Sequence, residues 1–386
     1  MGTNGMQPVY LDYCATTPIS AKVLAAMMPA LENGYGNPSS LHVFGQGAKI
    51  AIEKARAQVA QRIGARAQEI VFTSGATEAD NLAIFGIAAA NEQENGHLIT
   101  SSIEHHAVLH SAECLEKKGW QITYLPVNQY GLIDSADVAS AIQENTKLIS
   151  LMMVNNEVGT IQPVKEIGKI AGAYGIPFHT DAVQAMGLLP VSVDDLGVDM
   201  LSLSAHKIYG PKGSGALYIR EGIDIKPMIS GGPQEGTRRA GTENVPGIIG
   251  LGAAAEATAM KIHAEFERLS ALKAYFLNGL RSQIADFLVN GAVEQSSPHV
   301  VSLTFPGSDG EMMLFHLNKN GLAVSMGSAC NARETLPSHV LLAMGLASDL
   351  ADASIRVSFG YPTEIAEIDR LLEVLPKIVK QCRKIQ

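Results

Sequence analysis

Between residues 69 and 219, short apolar runs alternate with stretches whose apolar residues recur every three to four positions. Ile70-Val71-Phe72-Thr73, His97-Leu98-Ile99-Thr100, Gln121-Ile122-Thr123-Tyr124-Leu125 and Leu148-Ile149-Ser150-Leu151-Met152 read as strands. So do Pro177-Phe178-His179-Thr180, Asp199-Met200-Leu201-Ser202-Leu203 and Ala216-Leu217-Tyr218-Ile219. The intervening pattern predicts helices over 78–91, 107–118, 135–144 and 164–174. Strands alternating with helices imply βαβ crossovers, hence a mostly parallel sheet covered on both faces. Ligands of such sheets sit beyond the carboxyl ends of the strands.

Upstream, a short strand over 9–12 is closed by Cys14-Ala15-Thr16-Thr17-Pro18. Helices follow over 21–33 and 45–63, the second stopped by Gly64. After Gly241 the pattern changes. A long helical stretch over 245–285 leads to strands at 300–304 and 355–359 and helices near 310–318, 338–344 and 363–382. This predicts a smaller α+β domain. Neither an internal repeat nor a low-complexity segment is present.

At 386 residues, 46% hydrophobic and 17% charged, the chain should fold compactly, in two domains. Its net charge of −9, with no Lys/Arg run, argues against nucleic acid or an anionic membrane as the main partner. No apolar segment approaches the length of a membrane span, and no secretory signal is visible. Residues 1–5 look like a disordered leader. Cys14, Cys114, Cys330 and Cys382 show neither paired nor metal-ligand spacing, so no metal site is expected and a reducing cytoplasm fits best. Cys114 is expected to be a small core residue and Cys382 a tail residue.

The candidate chemistry gathers at strand ends. Lys207 follows a buried strand and precedes the turn formers Gly210-Pro211 and Gly213, where its amine can reach a ligand. A desolvated lysine forms Schiff bases with carbonyl compounds. Ser74-Gly75-Ala76-Thr77-Glu78 joins a strand to a helix and offers N–H groups to a phosphate, or else merely caps the helix. Asp181 could hold a pyridinium nitrogen, or cap a helix, and Gln184 lies three residues on. Of His105 and His106, one could stack on a planar ring. Asn155-Asn156-Glu157 adds amide donors at the same rim.

Longer motifs occupy these positions: TSGATEADN, IEHHAVL, VNNEVG, FHTDAVQ, SAHKIYGPKG, RRAGTEN, GSAC and LPSHVLLAMG. With them the chain resembles the cysteine desulfurases of the NifS/IscS-like group, fold-type-I pyridoxal-phosphate transferases, from about residue 9 to 382. The resemblance implies a large domain over 18–261 with a mostly parallel seven-stranded sheet, and a small domain of 1–17 and 262–386. It implies that Lys207 carries pyridoxal 5'-phosphate, that His105 stacks on its ring, that Asp181 pairs with its nitrogen and that Gln184 bonds its phenolic oxygen. Ala76, Thr77, Ser204 and His206 would hold the phosphate, joined by Thr242 from the partner subunit of a homodimer. Asn156 would touch cofactor and substrate, and Arg356 would grip the α-carboxylate of L-cysteine. Cys330 would take the sulfur as a persulfide, leaving alanine, and pass it to an acceptor protein for iron–sulfur cluster or other sulfur assembly.

Cys330 also has local chemistry in its favour. It sits in a polar run of small residues, Gly327-Ser328-Ala329-Cys330-Asn331, that suits a mobile nucleophile. Arg333 or the cofactor phosphate would favour its thiolate. The sequence departs from the group at Tyr13-Cys14, at Met326 and at 331–335, which bears on substrate preference and on the sulfur-carrying segment. A pyridoxal-phosphate cysteine or cystine lyase and a selenocysteine lyase are the nearest alternatives.

Overall fold

The computed structural model describes residues 7–91, 95–292, 294–327 and 337–383. Its strands are β1 (Val9–Tyr10), β2 (Ile70–Thr73), β3 (His97–Ser101), β4 (Gln121–Leu125), β5 (Thr146–Ser150) and β6 (Phe178–Asp181). They continue with β7 (Met200–Ser204), β8 (Gly215–Ile219), β9 (Leu288–Asn290), β10 (Val300–Thr304), β11 (Leu322–Ala323) and β12 (Ser354–Ser358).

Seven of these form one sheet in the order β2-β8-β7-β6-β5-β3-β4. The pairs β4/β3, β3/β5, β5/β6 and β6/β7 are parallel, whereas β8 is antiparallel to β2 and β7. Six strands therefore finish at one edge, and β8 begins there. This is the α/β, mostly parallel sheet that the alternating pattern predicts. Gly215 permits the crowding at that edge: a Cβ on it would lie 2.7 Å from Gly75 Cα and from Leu203 O.

Successive residues of each inner strand serve opposite cores. Leu98, Met200 and Leu217 pack with Leu82, Ile87, Val108 and Leu115 of the helices Ala76–Ala90 and His106–Glu116. Ile99, Leu201 and Tyr218 pack on the other face with Ile52, Val59, Ile167, Ile248 and Leu251. Because both faces are covered, β3, β7 and β8 are buried at every position and read as continuous runs. The edge strand β4 is exposed or half-buried except at Leu125.

A separate core surrounds the antiparallel sheet β12-β10-β9. Helices Ile262–Arg281, Gly310–Lys319 and Ile365–Cys382 supply Phe276, Leu280, Met313, Leu317, Leu371 and Leu375. Val9 and Leu11 join this core, since β1 lies parallel to β11. Among the described residues no helix is long and apolar enough to cross a membrane.

Three expectations need correction. The helix expected over 245–285 is two, Val245–Ala259 and Ile262–Arg281, because each buries its stripe in a different core. Strands β9 and β11 were not expected; three and two residues are too few to show a period. Cys114 is exposed, since the buried face of its helix is Ala107, Val108, Ser111, Ala112 and Leu115.

Candidate active site

A cavity of about 580 Å³ opens at the shared strand edge. Its near end is the β2–helix turn. Gly75 is the N-cap of the fifteen-residue helix Ala76–Ala90 and offers no side-chain cap, so the first-turn N–H groups need another acceptor. Ser74, Gly75, Ala76 and Thr77 line the cavity here, with Ser204, His206 and Lys212 opposite. Glu78 in that first turn is already engaged by Arg239 at 2.8 Å and by the N–H of Ser74 at 2.8 Å, which offsets its repulsion of an anion. Burial, then the charges of Lys207 and Lys212, pushes the His206 pKa down to about 4, so the ring is neutral. Its Nδ1 pairs with Thr16 Oγ1 at 3.1 Å.

The floor is built by β6 and β7. Asp181 ends β6, and its Oδ1 accepts from Val183 N at 2.9 Å. Burial pushes its carboxyl up to about 6, against the pull of that N–H and of Lys207. Asp80, on the helix behind, is buried and held well above the usual carboxylate range, by burial first and then by Asp181. Two buried carboxyls close together, with little positive charge to offset them, favour a cationic group beside Asp181.

Lys207 ends a single 3-10 turn, Ala205–Lys207, directly after β7. Its Nζ donates to Cys14 O and to Ala15 O, the second at 3.0 Å. His105 caps the helix His106–Glu116, its Nδ1 accepting from Ala107 N at 3.1 Å. Burial is the main force pushing that imidazole down to about 4, so it is neutral and carries its proton on Nε2. Gln184 donates to Cys14 O at 3.1 Å and accepts from His299 at 3.0 Å.

The far end comes from the small core. Arg356 on β12 is buried, with Nη2 2.9 Å from Asp12 Oδ1 and Nη1 donating to Asn156 O at 2.9 Å. Its Nε has no partner among the described residues. The guanidinium lines the cavity and places a fixed positive charge at this end, which favours an anion there.

Ala76, Thr77, His105, Asn156, Asp181, Gln184, Ser204, His206, Lys207 and Arg356 thus line one cavity. Asn155 does not: it is buried, and its amide is spent on Ile103 O at 3.0 Å. Thr242 is exposed and does not line this cavity within one chain. Cys330 lies outside the described residues. Sequence reasoning gave Cys14 to Thr16 only a bearing on substrate preference, by resemblance, and assigned no site role to Asp12, Asp80, Lys212 or His299. Of these, only Cys14 to Thr16 carried a signal, in the run that ends at Pro18.

The donor set fits a flat ligand with a phosphate at one end, a basic ring nitrogen over Asp181 and a carbonyl within reach of Lys207. The aminotransferase class-V family matches residues 9–371. A cysteine desulfurase IscS of Dictyoglomus turgidum is 49% identical over 377 residues, 98% of this chain and 96% of that protein. One of Methanosarcina thermophila is 48% identical over 98% of this chain and 93% of its own length. Among solved structures, a NifS-like protein superposes with a TM-score of 0.92 at 36% identity, covering 97% of this chain and all of that one. SspA in complex with cysteine has a TM-score of 0.82 at 41% identity, over 91% and 98%.

Proposed function

The chain belongs to the class-V aminotransferase family and is a cysteine desulfurase, and we propose that its cavity works with pyridoxal 5'-phosphate carried covalently on Lys207. The observation that carries this reading is convergence: an uncapped helix end, the Asp181 carboxylate, the Lys207 amine and the Arg356 guanidinium line one cavity. Ala76, Thr77, Ser204 and His206 would hold the phosphate, Asp181 the ring nitrogen, Gln184 the phenolic oxygen and His105 the ring face.

When bound, the cofactor accepts the electron pair released at the substrate α-carbon. The chain supplies the rest. Arg356 and Asn156, which line the cavity together, would orient the substrate carboxylate and amine. Lys207, which would hold the cofactor at rest, would take the α-proton. Cys330, as thiolate, attacks the substrate sulfur: an S–S bond forms, the Cβ–S bond breaks, and its electron pair stays with the carbon skeleton. Two proton deliveries then release alanine, and the sulfur remains on Cys330 as a persulfide.

We extend the proposal to the assembly. The chain acts as a homodimer, with Thr242 reaching the partner's phosphate. Exposed Leu31, Tyr35, Leu41, Val43, Phe44 and Ile50 support a covered face. Residues 18–261 act as the cofactor-binding domain, and 1–17 with 262–386 as the small domain. The persulfide passes to an acceptor protein, such as an iron–sulfur scaffold. Free thiols at Cys14, Cys114 and Cys382 suit a reducing cytoplasm.

The test is Cys330→Ser, with alanine, sulfide and pyruvate measured at one pH. Alanine formation should fall by at least about 10³-fold, as for loss of a covalent nucleophile, while cofactor colour persists. Pyruvate from wild type at a rate unchanged in the variant would make the protein a lyase.

A further inference from the structure

The side chain of Gln184 is held at both ends, at one of them by a group that can act in only one sense. The Cys14 carbonyl only accepts, so the Gln184 atom 3.1 Å from it is the NH₂. The amide oxygen then faces His299 Nε2 at 3.0 Å and also only accepts, so that ring nitrogen must carry a proton. His299 Nδ1 is left as a lone pair, matched by the Ser297 hydroxyl at 2.7 Å.

The ring has little freedom to escape this pattern. His299 is 6% exposed and Ser297 fully buried, and Phe359 N pins the His299 carbonyl at 2.8 Å. Burial pushes the imidazole down to about 3, and Lys273, Arg356 and Lys207 push the same way. It therefore has a single proton to place. On its far side Lys273 Nζ donates to Ser296 Oγ at 2.8 Å and to Ser297 O at 3.3 Å.

We infer that His299 is a positioning residue: with Ser297 it fixes the Gln184 amide so that its second N–H stays available to an acceptor in the cavity. This rests on the reading above, in which that acceptor is the phenolic oxygen of the cofactor. A flipped amide would present its oxygen there instead, lone pair against lone pair. A donor at that oxygen stabilises its negative charge and eases loss of the neighbouring proton. Losing the donor therefore raises the pH midpoint of the visible absorbance.

The experiment uses the holoenzyme and two readouts. The absorbance midpoint against pH is recorded for wild type, Gln184→Ala, His299→Leu, His299→Gln and Ser297→Ala. The His299 tautomer is read by ¹⁵N NMR on histidine-labelled wild type and Ser297→Ala. Gln184→Ala should raise the midpoint by about one unit, the worth of one hydrogen bond. His299→Leu should raise it by roughly half as much, since Cys14 O still favours the correct amide orientation. His299→Gln, which restores an N–H donor, should bring it back. Wild type should show the Nε2–H tautomer, and Ser297→Ala, which keeps the ring, a mixture. A shift in Gln184→Ala with none in His299→Leu or Ser297→Ala overturns the positioning role and leaves the Gln184 reading standing. No shift in Gln184→Ala overturns both. An Nδ1–H tautomer in wild type overturns the inference by itself.

Discussion

The cavity has two walls of unlike construction. One is delivered by residues 74–213, most of its groups at or close to the ends of strands that share one edge of the sheet. The other is assembled from Cys14 to Thr16 and Arg356, braced by Asp12 and His299, and it joins the first through Gln184, His206 and Lys207. Under the proposed function, the first wall would hold the phosphate and ring and the second would face the substrate. Damage to the first should therefore cost cofactor, and damage to the second should cost substrate while cofactor remains.

The largest test of that division is Lys207→Ala. It should abolish covalent attachment and borohydride trapping of the cofactor, and lower turnover by several powers of ten. Trapping that maps to Lys212 instead would break the assignment. Next comes Arg356→Ala. Removing one partner of a buried charged pair costs about 2–5 kcal/mol, roughly 30- to 5,000-fold in kcat/KM for cysteine. Cofactor absorbance and affinity should be unchanged. If cofactor is lost along with substrate, the two walls are not separable.

The smallest effect probes the first wall's bracing. Glu104 is buried, accepts from Ser101 Oγ at 2.6 Å and Met152 N at 3.0 Å, and is pushed by burial from 4.5 up to about 8. The unfolded chain loses this proton near 4.5, whereas the folded one keeps it to about 8. Stability from this group is thus full below pH 4.5 and is lost as pH rises through that window, at most about 1.4 kcal/mol per unit. Glu104→Gln should gain on wild type in urea midpoint between pH 5 and 8, and be no better below 4.5. Parallel midpoints across that range would count against a protonated Glu104.

The two walls also differ in how far the sequence reveals them. Asp181, Lys207 and the Ser74 to Thr77 turn could be placed because each adjoins a strand whose apolar run is continuous. Strand ends in a mostly parallel sheet share an edge, so period and order were enough. Roles for single residues, such as Gln184 and Arg356, came from resemblance to a family, not from spacing. The Asp12–Arg356 pair and the Gln184–His299 bond leave no trace in local pattern, since partners 344 and 115 residues apart share no period. Asn155 misled because a polar side chain at a rim position turned inward to satisfy Ile103 O. Asp80 was hidden on the buried stripe of its helix.

The stitching of β1 to β11, with Asp12 bound to Arg356 and Cys14 N to Ser358 Oγ, bears on how the protein is made. These partners are 344 residues apart. At about 5–20 residues per second, the second half of each bond leaves the ribosome roughly 20–70 s after the first. The seven-stranded sheet, complete by Ile219, can be synthesised with its lysine and helix end in place well before Arg356 exists. On the proposed reading, a nascent chain would acquire the groups that hold the cofactor before the arginine that receives substrate, and the two walls can meet only once translation has passed residue 356.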